Sequence, residues 1–218
     1  MLVDMSTAGS SPRRKENEMN KTLELARELV RALEEEAENQ DKVQLGTMQP
    51  GDIIVTNGRR YKILKQMDGQ TKIQSVEFML EGVQFDSDSS DYSTSDLKKR
   101  IDSDVLPVFE MDFDAENIVK HEVDLTTVDA QKDFGSCQCK VRPITFDEAR
   151  EFNALLVNED LPDWDWTCTA WSTEERGWKY SVAVVSPRGL IDYNNYYNDC
   201  GVRPVCILKS DIFVSKGE

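Results

Sequence analysis

Five cysteines, one histidine and 41 acidic side chains are the groups in this 218-residue chain that could carry reaction chemistry. The histidine, His121, stands in Val119-Lys120-His121-Glu122-Val123. No nucleophile accompanies it in a recognisable motif. A lone imidazole beside a carboxylate on a polar stretch is expected at the surface rather than as a general base. Neither of the glycine-rich phosphate-loop patterns occurs. The cysteines, Cys137, Cys139, Cys168, Cys200 and Cys206, are odd in number and follow no secretory leader, which argues against a disulfide framework. Cys137-x-Cys139 with Cys200-x5-Cys206 could offer four thiolates to zinc, but the spacing departs from the usual C-x2-C pair. Cys206, inside Val205-Cys206-Ile207-Leu208, is expected as a small buried hydrophobe. Asp86-x-Asp88-x-Ser90 and Asp112-x-Asp114-x-Glu116 echo the start of an EF-hand. Their sixth position holds Asp91 or Asn117 where glycine is needed, and their twelfth Leu97 or Val123 where glutamate is needed. No catalytic set, cofactor or metal site is therefore expected.

Aromatic residues give a positive signal. All four tryptophans, Trp164, Trp166, Trp171 and Trp178, lie within fifteen residues. Trp171 and Trp178 flank apolar runs and are expected in the core. Asp163-Trp164-Asp165-Trp166 alternates acid with aromatic, which in a strand puts both rings on one face and both carboxylates on the other. Tyr193, Tyr196 and Tyr197 stand among Asn194, Asn195 and Asn198. Tyrosine with asparagine combines rigid contact area with adaptable hydrogen bonding, and planar rings with amides also suit sugars. Trp164, Trp166, Tyr193, Asn194, Asn195, Tyr196 and Tyr197 are thus the expected ligand-contacting residues.

Charge narrows the partners. The formal net charge is −15, from 41 acidic and 26 basic side chains. Such a chain repels nucleic acid and anionic membrane and attracts basic protein surfaces. Asp86, Asp88, Asp91, Asp112, Asp114, Asp163 and Asp165 could stand in for phosphates, so the alternative function is a nucleic-acid mimic that inhibits a defence nuclease of the CRISPR or restriction type.

The elements that must position these residues follow from local pattern. Residues 1–16 are polar, without periodicity, and expected to be disordered. Met19, Leu23, Ala26, Leu29, Val30 and Leu33 form one apolar stripe on a helix over 17–37, a candidate homodimer seam, followed by a polar linker to 43. From 44 a single α+β domain begins. Asn57-Gly58 and Asp68-Gly69 are turn signals that make residues 44–81 a three-stranded meander. Ser93-x-x-Asp96 resembles a capping box before a short helix over Leu97, Ile101 and Val105, and Thr145-Phe146-Asp147-Glu148 is a second box opening a helix to Leu155. Val182 to Val185 is expected as a buried strand, residues 194–199 as a polar aromatic loop, and Gly201 to Leu208 as the closing strand. No stretch approaches the roughly 20 apolar residues that span a membrane, so the chain is expected in a bacterial cytosol or a phage particle.

Over roughly residues 48–213 the order of motifs resembles a bacterial and phage domain family of unknown function. The matching pieces are Gly51-Asp52-Ile53-Ile54 with Tyr61-x-Ile63-Leu64, then Tyr92-Ser93-x-Ser95-Asp96-Leu97, Pro143-Ile144-Thr145-x-x-Glu148-Ala149 and Thr169-Ala170-Trp171-Ser172. Ser186-Pro187-Arg188-Gly189 and Gly201-Val202-Arg203-Pro204-Val205 complete the series. That last piece is also similar to the end of C-type-lectin-like domains, including phage variable receptor proteins and sulfatase-modifying-factor relatives. The resemblance implies an α+β domain with its first and last strands close together, and ligand contact from irregular loops, here 163–180 and 192–200. It implies no activity. Arg203 is expected to be structural, bonding a carboxylate or carbonyls in the closing strand. The expectation is a non-enzymatic module of phage or mobile-element origin that binds a protein or a glycan.

Overall fold

Asn57 and Gly58 both adopt positive φ, 47° and 75°, the backbone a two-residue hairpin turn of matching twist requires. They join β2 (Ile53–Thr56) to β3 (Arg59–Met67), and the Asp68-Gly69 turn leads into β4 (Gln70–Ser75). The three strands pair antiparallel in sequence order, with Ile54 opposite Tyr61 and Ile63 opposite Ile73. This is the expected meander, but its third strand ends at Ser75 and does not run on to Leu80, which opens a strand of another sheet.

The computed structural model describes residues 19–31 and 42–217. Residues 19–31 form helix α1 in one unit, and the chain from Val43 onward forms a second. The expected disordered segment 1–16, the helix positions 17–18 and 32–37, and the linker to 41 lie outside the described residues. In the second unit the meander is the centre of a seven-stranded sheet. Its order is β1 (Lys42–Gln44), β14 (Phe213–Lys216), β2, β3, β4, β13 (Val205–Lys209) and β8 (Val141–Arg142). The first and last strands are therefore neighbours. A five-stranded sheet runs β11 (Ile191–Asn195), β10 (Ser181–Val185), β9 (Asp165–Ala170), β12 (Asp199–Val202) and β5 (Leu80–Gln84). A separate ribbon pairs β6 (His121–Asp124) with β7 (Ser136–Cys139). The class is α+β.

The expected single closing strand is two. Pro204 lacks an N–H, and at Arg203-Pro204 the chain leaves the five-stranded sheet (β12) and enters the seven-stranded one (β13). The expected loop at 194–199 is shorter than read: β11 runs to Asn195 and β12 begins at Asp199, leaving a tight turn.

Helices fill the space between and behind the sheets. Helix α2 (Asp96–Arg100) is capped by Ser95, whose Oγ accepts from Lys98 N at 3.1 Å. The cap is thus two residues later than the Ser93 box, because Ser93 N is itself engaged by Asp91 Oδ1 in the preceding turn. The helix does not stop at Val105. A π-helical turn, Ile101–Val105, passes into α3 (Leu106–Phe113). Pro107 cannot donate to the preceding turn, and the wider turn, with Leu106 N–H reaching Ile101 O, accommodates it. The second capping box forms as read. Thr145 Oγ1 accepts from Glu148 N at 3.1 Å, Glu148 Oε2 accepts from Thr145 N at 2.9 Å, and α4 (Phe146–Glu151) follows, then α5 (Asn153–Leu156).

Two cores result. In the larger, Ile54, Tyr61 and Ile73 of one sheet and Trp166, Val182 and Val184 of the other pack with Leu97, Ile101, Val105, Phe109 and Phe113 of the helices. In the smaller, Ala149, Phe152 and Leu156 cover Leu64, Val185 and Val205. No helix among the described residues is long and apolar enough to cross a membrane.

Candidate functional site

The edge strand of the five-stranded sheet carries the exposed aromatic face. Among the described residues strand β11 pairs only on its β10 side, with Tyr193 opposite Ala183. After β9 the chain makes a short loop closed by Trp171 N to Ser181 O at 2.8 Å and by Trp178 N to Thr173 O at 3.2 Å, with Gly177 in the left-handed region. This loop brings Trp171 and Trp178 to Tyr193, each with its ring centroid 5.2 Å away, the Trp178 pair edge to face at 81°. Tyr180 belongs to a second group of rings at the β11–β12 turn, 5.7 Å from Tyr196 and 6.3 Å from Tyr197. Trp178, Tyr180, Tyr193 and Tyr197 each keep 42–46% of their surface exposed. Lys179 Nζ sits 5.2 Å above the Tyr180 ring. Adjoining exposed rings form a surface on which a sugar ring or apolar side chains can stack, with tyrosine hydroxyls at the margin.

The residues expected to contact ligand divide between this face and the interior. Tyr193 and Tyr197 are on the face. Trp166 is a correction: it is 0% exposed, its indole N–H donates to Val83 O at 2.8 Å, and Phe85 stands against it at 5.7 Å. The alternation with Asp165 puts it on one side of β9, and that side is the core. Trp164 is half-buried and packs on the same core. Tyr196 is also corrected, since its ring is buried in the larger core. Asn194 and Asn195 are half-buried and hold the turn. Asn194 donates to Cys200 Sγ at 3.2 Å and accepts from Asn198 Nδ2 at 2.8 Å, and Asn195 Nδ2 donates to Tyr197 Oη at 2.9 Å. The face gains three rings not counted as ligand contacts from sequence, Trp171, Trp178 and Tyr180. The apolar runs that suggested core positions for the two tryptophans lie on either side of the loop, in β9 and β10, and not within it.

Three of the seven acids offered as phosphate mimics are internal, a second correction. Asp86 accepts from the backbone N–H groups of Asp88, Ser89 and Asp96, which folds the loop before α2. Asp112 accepts from Asn57 Nδ2 at 2.8 Å, Arg59 Nη1 at 2.9 Å and Tyr61 Oη at 2.5 Å. Asp165 is buried against Arg203, and burial pushes its carboxyl up to about 6 despite the opposing pull of the guanidinium. Asp88, Asp114 and Asp163 are exposed, and Asp91 is partly so.

A second polar site lies elsewhere. Arg142 forks onto Glu148, Nη1 to Oε2 at 2.6 Å and Nη2 to Oε1 at 2.7 Å, and Lys72 donates to the same carboxylate. Burial raises the Glu148 carboxyl, but Arg142 and then Lys72 overcome it and hold it well below the usual range. Arg142 Nε donates to His121 Nε2 at 3.1 Å, so the imidazole carries its proton on Nδ1 and gives it to Val119 O at 3.2 Å. His121 is therefore half-buried and doubly bonded, not the surface residue expected. These groups line a cleft of about 450 Å³, with Thr145 and Phe146 at its rim. With Arg142 and Glu148 satisfied by each other, the cluster is a brace with an imidazole attached. The four thiols considered for zinc do not assemble: among the described residues no three His, Cys, Asp or Glu side chains are placed to hold a metal ion. Comparison with family models, with curated proteins and with solved structures finds no match to this chain.

Proposed function

We propose that this chain is a non-enzymatic binding module that takes a protein or glycan ligand on the aromatic face of Trp178, Tyr180, Tyr193 and Tyr197. The observation that carries the reading is four exposed rings in two contacting pairs, Trp178 with Tyr193 and Tyr180 with Tyr197, at and beside one sheet edge. Aromatic surface left in water costs roughly 25 cal/mol per Å² exposed, which a ligand recovers when it covers the rings. The resemblance to C-type-lectin-like domains, and with it an origin in phage or mobile elements, points the same way: contact comes from the loop after β9 and the β11–β12 turn.

The acidic-mimic reading is favoured by the net charge of −15. It retains Asp88, Asp91, Asp114 and Asp163 as surface carboxylates. One experiment separates the two: capture from bacterial lysate and on a glycan array, at low and high salt, with the wild type and a Trp178→Ala/Tyr193→Ala variant. The binding-module reading expects a ligand kept at high salt and lost by the variant. Capture of a nucleic-acid-binding protein that salt abolishes and the variant retains overturns it in favour of the mimic.

A further inference from the structure

We propose that Cys137 and Cys139 are a reversible dithiol–disulfide site, in which Cys137 captures a small-molecule disulfide and Cys139 resolves the adduct into a bond along β7. The two residues are i and i+2 on one strand, so their side chains share a face. Their sulfurs are 3.4 Å apart. Both are free thiols, Cys137 partly exposed and Cys139 buried. Accessibility and proximity are thus divided in the manner a two-step exchange needs: one sulfur can be reached from solvent, and the other waits behind it. The hydrogen bond from the Cys137 thiol lowers the pKa of Cys139 against the effect of burial, and Lys98 and Arg142 add to it, while the same contact and burial push the Cys137 thiol up. The resolving sulfur is therefore the more readily ionised of the pair.

The co-reactant is a low-molecular-weight disulfide, RSSR, of the glutathione type. In the first step Cys137 passes its proton across the 3.4 Å contact to the Cys139 thiolate and attacks one sulfur of RSSR. A mixed disulfide forms at Cys137, the original S–S bond breaks, and RS⁻ leaves and takes up a proton from water. In the second step the Cys139 thiolate attacks the Cys137 sulfur, the protein disulfide forms, and a second RS⁻ leaves and takes up the Cys139 proton. The dithiol has lost two electrons and two protons, and RSSR has become two RSH.

Such a bond is labile by construction. Alternate residues of a strand lie about 6.6–6.8 Å apart at Cα, the upper end of what a disulfide spans. Closing 3.4 Å to roughly 2.05 Å puckers β7 and leaves a bond that is easily reduced. Among the described residues β7 pairs with β6 alone, and His121 to Asp124 of β6 wall the 450 Å³ cleft. Oxidation at the pair thereby reshapes that cleft.

The test incubates the full-length folded protein with reduced and oxidised glutathione at a series of ratios, blocks remaining thiols after denaturation, and maps the tryptic peptides by mass. The expected result is loss of two blockable thiols, both in the peptide of residues 133–140, restored by dithiothreitol. Cys139→Ser is expected to stop at a glutathione adduct on Cys137, and Cys137→Ser to acquire neither. Five blockable thiols at the most oxidising ratio, loss confined to Cys168, Cys200 or Cys206, or an adduct that persists on Cys137 in the wild type would each overturn the proposal. If a serine variant does not fold, the wild-type peptide map still decides.

Discussion

Arg203 and Asp165 form a buried ion pair at the point where the chain crosses from one sheet to the other. Arg203 Nε donates to Asp165 Oδ2 at 2.9 Å, Arg203 N to Oδ1 at 2.8 Å, and both side chains are 2% exposed. Arg203 Nη1 also donates to Leu156 O at 3.0 Å, tying the crossover to α5. Removing one partner strands the other charge away from water. Asp165→Ala is therefore expected to lower the free energy of unfolding by about 3–5 kcal/mol in urea titrations. A loss under 1 kcal/mol would show that the pair does not brace the crossover.

Core and face tryptophans should separate under the same measurement. Trp166→Ala removes a fully buried indole with its hydrogen bond to Val83 O, and about 3–5 kcal/mol of stability should go with it. Trp178→Ala takes a ring whose contacts are one edge-to-face pair and partial cover, which predicts a loss of about 0.5–1.5 kcal/mol. Equal losses at the two positions would mean that the aromatic face is an outer layer of core and not a surface kept free.

What could be read from sequence was what neighbours along the chain decide. Asn57-Gly58 sets its own turn, and Thr145 and Glu148 satisfy each other within one helical turn. Alternation along β9 correctly placed Trp166 and Asp165 on opposite faces, but which face meets the core depends on β5, whose Val83 is some eighty residues earlier. Asp112 looked like a surface acid because its partners, Arg59 and Tyr61, are more than fifty residues away. His121 was misplaced for the same reason: Arg142 engages it from a strand in another sheet. On the aromatic face, Tyr193 and Tyr197 were legible, whereas Trp178 was hidden by the apolar strand that follows it.

Gly201 is a position where a single methyl group tests packing between the sheet and the chain that leads into β5. A Cβ built there would stand 2.4 Å from ring carbons of Phe78. An aromatic ring has few rotamers to escape into, so Gly201→Ala should destabilise by about 1–3 kcal/mol. Pairing it with Phe78→Ala should cost less than the sum of the single losses. Strict additivity in the double-mutant cycle would place the strain elsewhere.

The one histidine gives the cleft a clean reporter. His121 is pushed below its ordinary value of 6.5 by burial first and by the Arg142 charge second, with Lys72 acting in the same direction and the Val119 carbonyl and Glu148 opposing. A depressed histidine is neutral in the fold while the unfolded chain protonates near 6.5. Its contribution to stability is therefore complete above that pH and is lost as the pH falls from 6.5 through the folded value. Glu148, held low by Arg142 and Lys72, contributes a separate loss that begins only below about 4.5. The ring C–H resonances of His121, the only histidine signals in the spectrum, should titrate with a midpoint below 6.5. In His121→Gln the slope of stability against pH should flatten just below 6.5 and persist below about 4.5. A midpoint at or above 6.5, or an unchanged slope in the variant, would mean that the imidazole is not held neutral against Arg142.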